Sequence, residues 1–90
     1  MAKHLSALKR ARQNEKRRLR NQSRKTRVKN VVRQVRQAVA QKNAAEAQTA
    51  LQSAIPTLAR VAAKGTLHWR AAARKISRLT RQVNALTGAA

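Results

Sequence analysis

The sequence predicts an all-α fold, a three-helix bundle whose long, basic first helix projects from its own core. Three observations carry this. Residues 5 to 42 contain neither Gly nor Pro and are dominated by Leu, Arg, Lys, Gln and Ala, all good helix formers. Three apolar stripes with helical spacing follow one another along the chain. Charge is sorted by position: of 22 Lys and Arg, fourteen fall in residues 1–36, one (Lys42) in 37–59 and seven in 60–81, against two acidic residues, Glu15 and Glu46.

At ~1.5 Å per residue the first helix is a rod of roughly 55 Å, longer than so small a domain requires. Val28, Val31, Val32, Val35 and Val39 put an apolar stripe on its C-terminal half, which must pack against something. From Lys9 to Arg27, basic side chains surround most of the helix and leave a thin seam of Leu8, Glu15, Leu19 and Thr26, nearly opposite the valines. Arg12, Lys16, Arg20 and Arg24 are like charges at i,i+4, each pair unfavourable by a few tenths of a kcal/mol. The free arm is therefore expected to fray and to gain order with a partner. The expected organisation is one domain over 1–90, with a basic arm over 1–27 continuous with the first helix and the bundle over 28–88.

Asn43, followed by Glu46, matches an N-cap with a capping carboxylate and starts the second helix. Ala47, Leu51, Ala54, Leu58 and Val61 form its stripe, which keeps register across Pro56, so a kink is expected there and not a boundary. Gly65 supplies the stop. After Gly65, Thr66 and Leu67, a third stripe of Trp69, Ala73, Ile76, Leu79, Val83 and Leu86 runs to Gly88. Trp69, in phase with Ile76 and Val83, is expected in the core, and His68 is expected as a solvated cap or a contact residue.

Half of the hydrophobic residues are Ala, so the core is small and the bundle modestly stable. The absence of Cys removes disulfides, thiol nucleophiles and cysteine-based zinc sites, and agrees with a reducing compartment. No apolar run is long enough to span a membrane. Glu15 and Glu46 are isolated, His4 and His68 are far apart, and no Gly-rich phosphate loop occurs, so neither an enzyme, a metal site, a cofactor nor a small-molecule substrate is expected. The Arg-rich, acid-poor N-terminus has the composition of an organelle transit peptide, but the basic character runs through residue 36 and returns after 60, which suits a binding protein better.

A net charge of +20 calls for a dense polyanion, because phosphates neutralise such a body and release counterions as they do so. Nucleic acid is the partner expected. With a single aromatic residue, readout is expected to be electrostatic and shape-based, since stacking platforms need more rings. Arg forks can hold phosphate in bidentate fashion. The expected basic contacts include Lys3, Arg12, Arg18, Arg20 and Lys25 of the arm and Arg70 beyond it, with Asn21, Gln22, Ser23 and Asn30 adding polar contacts. A nucleoid-type DNA-binding protein is the rival reading, weakened by the lack of a helix-turn-helix pattern or a long dimer seam. A membrane-active amphipathic protein is disfavoured because the arm's seam is too thin.

The segments Leu5-Ser6-Ala7-Leu8-Lys9-Arg10, Glu15-Lys16 and Asn21-Gln22-Ser23-Arg24, and above all Ala62-Ala63-Lys64-Gly65-Thr66-Leu67-His68 followed by Ala71-Ala72-Ala73-Arg74-Lys75-Ile76-Ser77-Arg78-Leu79, resemble the bacterial small-subunit ribosomal protein S-twenty (S20) family over nearly the whole chain. The resemblance implies a structural constituent of the small ribosomal subunit, cytoplasmic and ribosome-associated; a bacterial-type organelle ribosome fits the residues as well. It also implies binding to 16S ribosomal RNA, at the 5′ domain and the penultimate stem near the 3′ end, early in assembly. By position, Lys9, Arg10, Lys16, Arg17, Asn21, Ser23, Arg24 and Arg27 would face RNA from the arm. Lys64, Gly65, His68, Arg74 and Arg78 would do so from the turn and third helix. The chain departs from the family pattern at Trp69-Arg70, where Lys-Asn is usual, and in Thr57-Leu58-Ala59-Arg60, where an acidic residue is common.

Overall fold

The computed structural model describes residues 2–88, with side chains from Leu5 onward. Three helices follow in order, α1 (Ala2–Ala40), α2 (Ala44–Ala63) and α3 (Trp69–Thr87), and no strand occurs among the described residues. α1 alone has 39 residues and accounts for most of the long dimension of a body 66 × 22 × 14 Å.

α1 ends two residues earlier than its composition suggests, at Ala40. The cause is a left-handed Lys42, φ 57°, which turns the chain out of the helix. Asn43 N–H then donates to Ala38 C=O and Lys42 N–H to Val39 C=O, both at 3.0 Å, the paired bonds of a Schellman stop. Glycine normally holds this position, because a Cβ there costs about 1–2 kcal/mol. Lys42→Gly is expected to stabilise the bundle by roughly 0.5–1 kcal/mol, once the greater freedom of an unfolded glycine is offset, and to raise the melting temperature by a few degrees. A lower melting temperature would show that the lysine side chain contributes more than its backbone strain costs.

The turn of Gln41, Lys42 and Asn43 folds α2 back along α1. Asn43 caps α2 as expected, its Oδ1 accepting from Glu46 N–H at 3.2 Å. α2 passes through Pro56 without a break. Pro56 is exposed, so the backbone carbonyl it leaves without a helical partner is on the solvent side.

The core is a single cluster in which Val28, Val32, Val35 and Ala38 of α1 meet Ala47, Ala54, Leu58 and Val61 of α2 and Leu79 and Val83 of α3. Val31, Val39, Leu51, Leu67, Ile76 and Leu86 border it, half-buried. The third stripe differs from expectation at its start. Ala72, not Ala73, is buried, and Trp69 stands 64% exposed. Trp69 is the first residue of α3, where side chains lean back toward the helix N-terminus and off the end of the element. Leu67, from the connection before it, makes the core contact instead.

Candidate nucleic-acid interface

Every described side chain from Leu5 to Ser23 is exposed, so Lys9, Arg10, Arg12, Lys16, Arg17, Arg18 and Arg20 are presented on a helix that nothing else covers. Lys25 and Arg27 are exposed too. The side chain of Lys3 lies outside the described residues. One cation of the arm is paired with a carboxylate: Arg18 donates to both carboxylate oxygens of Glu15, at 2.7 and 3.2 Å. These hydrogen bonds first, and the guanidinium charge second, hold the Glu15 carboxyl below its ordinary range. The pair's support for the helix is thus present above the ordinary carboxylate range and lost as pH falls through the lowered value.

Where α2 returns along α1, positions equally distant from the turn meet. Arg20, Arg24 and Arg27 of α1 face Arg60 of α2 and Lys64, its C-cap, across a groove that Ser23, Thr57 and Val61 also line. Five cations converge there with no acidic side chain on either wall. Arg60 was not among the expected contacts, although the signal was available: a hairpin turning at Lys42 brings residue 60 opposite residue 24. The same seam nearer the turn carries no cation and one carboxylate, lined by Gln34, Gln37, Gln41, Glu46, Thr49 and Ser53. A second basic cleft, between α1 and α3, gathers Lys29, Arg33, Arg36 and Lys75. None of these four was expected at an interface either, because the valine stripe reads that half of α1 as packing surface.

Arg24 and Asn21 have a structural task besides. Arg24 Nη1 donates to Thr66 Oγ1 at 3.2 Å and to Asn21 Oδ1 at 3.4 Å, and the Thr66 hydroxyl donates to Asn21 Oδ1 at 3.0 Å. This latch ties the connection between α2 and α3 to the middle of α1, and Arg24 is half-buried by it. Gly65 makes the connection possible: its φ of 81° belongs to the left-handed region, and its N–H donates to Ala62 C=O at 3.0 Å. Thr66→Val, which keeps the shape and removes the hydroxyl, is expected to lower the stability of the bundle by about 1 kcal/mol and its melting temperature by a few degrees. An unchanged melting temperature would mean that the latch contributes nothing to the fold.

His68 caps α3, its Nδ1 accepting from Arg70 N–H at 3.1 Å. Arg70, Arg74 and Arg78 follow at i,i+4 spacing, all exposed, and extend the basic surface along α3. Among the described residues no three His or acidic side chains converge as a metal site would need, and no helix is long and apolar enough to cross a membrane.

The arrangement defines a class of protein, a helical scaffold whose function is to present basic side chains on an arm, in two interhelical clefts and along a third helix. The chain belongs to the ribosomal protein S20 family. The sequence profile of that family, described as Ribosomal protein S20, matches residues 2–84. A small ribosomal subunit protein bS20 of Syntrophus aciditrophicus is 53% identical over 85 residues, covering 94% of this chain and 96% of that protein. The bS20 protein of Geobacter metallireducens is 48% identical over 86 residues, 96% of this chain and 99% of its own length. That of Desulfotalea psychrophila is 49% identical over 89 residues, 99% of this chain and the whole of the relative. The family is one of structural ribosomal components, not of enzymes.

Proposed function

We propose that this chain binds 16S ribosomal RNA directly and braces its stems as the small ribosomal subunit assembles, in the 5′ domain and at the penultimate 3′ stem. The observation that carries the reading is the groove of Arg20, Arg24, Arg27, Arg60 and Lys64, five cations from two helices with no counter-charge of their own. The arm leads into this groove from one side, and the cleft of Lys29, Arg33, Arg36 and Lys75 opens on another flank of α1. Phosphates of two separate stems therefore have two separate basic seats on one rigid helix, which is what bracing requires. The seam at the hairpin end, without a cation and with the carboxylate of Glu46, orients the particle, with the basic end toward RNA and the Gln-rich turn away from it.

In this reading residues 1–27 act as the RNA-binding arm, the surface cations of the turn and of α3 contribute further contacts, and the protein resides on the ribosome in the cytoplasm. The test is affinity for a folded 5′-domain fragment of small-subunit ribosomal RNA across a salt series, against excess duplex DNA and tRNA. Binding that survives both competitors, with helicity rising on complex formation, supports it. Equal loss to either competitor, or preference for duplex DNA, overturns it.

A further inference from the structure

The first turn of α3 holds a feature that charge neutralisation leaves unused. Trp69 is the chain's one aromatic residue of the Phe, Tyr and Trp type, and it stands 64% exposed. It is nonetheless held in place. The His68 ring stacks with the indole at 5.9 Å between centroids and 25° between planes, and His68 is itself fixed by its bond from Arg70 N–H. The Arg70 guanidinium lies 5.3 Å from the indole centroid. A planar group is thus pre-organised at the surface on a capped helix end.

We propose that Trp69 is a stacking site for one unpaired nucleobase of RNA, the base displacing the Arg70 guanidinium that lies over the ring and Arg70 then taking the adjoining phosphate. The inference rests on the RNA-binding reading above and adds to it a contact that discriminates a splayed base from a paired one. Two observations choose this occupant. The residues shown against the indole, His68 and Arg70, are exposed and neither is acidic, so an apolar protein surface would cover the ring while leaving the Arg70 cation unmatched. A nucleotide supplies both parts, a π-face for the indole and an anion for the guanidinium. The base must be unpaired, because within a duplex both of its faces are already stacked.

Because Trp69 is the sole tryptophan, its emission reports this contact alone. The full chain titrated with the folded 5′-domain fragment is expected to lose indole fluorescence, and its accessibility to acrylamide, with the same midpoint as binding measured by filter retention. Trp69→Leu is expected to weaken binding by roughly tenfold with an unchanged salt slope, since stacking contributes affinity without releasing counterions. Trp69→Phe, which keeps a ring, is expected to recover part of that loss. The exposed position makes both variants safe for the fold, checked by helicity and melting. A complex that forms with indole emission and acrylamide access unchanged, and with Trp69→Leu binding as tightly as the original, overturns the stacking site while leaving RNA binding intact. Failure of the unaltered chain to bind the fragment removes both.

Discussion

Replacing Arg20, Arg27, Arg60 and Lys64 together with Gln is expected to weaken binding to the ribosomal RNA fragment by roughly two to three orders of magnitude, and to lower the slope of log affinity against log salt by about three. Arg24 is left in place because it holds the latch to Thr66. The argument is one of convergence. Four of the groove's cations lose their charge, each releases one fewer counterion when RNA binds, and those on α2 cannot be replaced by neighbours on α1. A control that changes Lys9, Arg10, Arg12 and Lys16 to Gln removes the same charge from the exposed arm and should cost less, because those side chains also lose the entropy of ordering a fraying helix when they bind. The groove variant should also melt at a higher temperature than the original in the absence of RNA, since like charges no longer face each other across the two helices. Lower affinity combined with higher stability is the mark of a binding site built at the expense of the fold. Equal losses from the groove and arm variants would mean that the RNA reads diffuse charge and not this groove.

Much of this was legible in the residues because helical periodicity is a local signal. The five valines of α1, the stripe from Ala47 to Val61 and the Asn43 cap each depend on neighbours within one or two turns, and each lies where spacing puts it. What was not legible depends on how elements meet. Trp69 has the right phase for a core residue, but phase says nothing about whether a partner helix reaches that level of the bundle, and Leu67 from a connection took the contact. Arg60 reads as a surface charge until the hairpin sets it opposite Arg24. The clefts of α1 follow the same logic: Lys29, Arg33 and Arg36 flank a buried stripe, and only the position of Lys75 on α3 makes them one side of a basic cleft. Asn21 and Thr66 are separated by the whole of the α1–α2 hairpin, and no spacing rule connects them. Charge sorting points to a class of partner; the pairing of helices decides which charges act together.

Leu58→Ala is expected to have the largest effect on the fold and, through the fold, on the groove. Leu58 is completely buried in a core otherwise built mainly from Val and Ala, so the cavity it leaves has few long side chains to fill it. The cost is about 3 kcal/mol, against a total stability of roughly 5–13 kcal/mol for a chain of this length, and the melting temperature should fall by roughly 12–24 °C. Ile55→Ala, one turn earlier on the solvent side and 37% exposed, should cost well under half as much. Arg60 and Lys64 lie within two turns after Leu58 on the same helix, so unfolding α2 removes one wall of the basic groove. In the proposed reading RNA binds only the folded bundle with full affinity, so by mass action free RNA at about 100 times its dissociation constant returns ~2.7 kcal/mol of stability. Leu58→Ala should look severe in the free protein, and RNA at that concentration should return its melting temperature close to that of the RNA-free original. Tight RNA binding by Leu58→Ala with no rise in its melting temperature would show that the complex does not need the α1–α2 wall, and that the arm alone carries recognition.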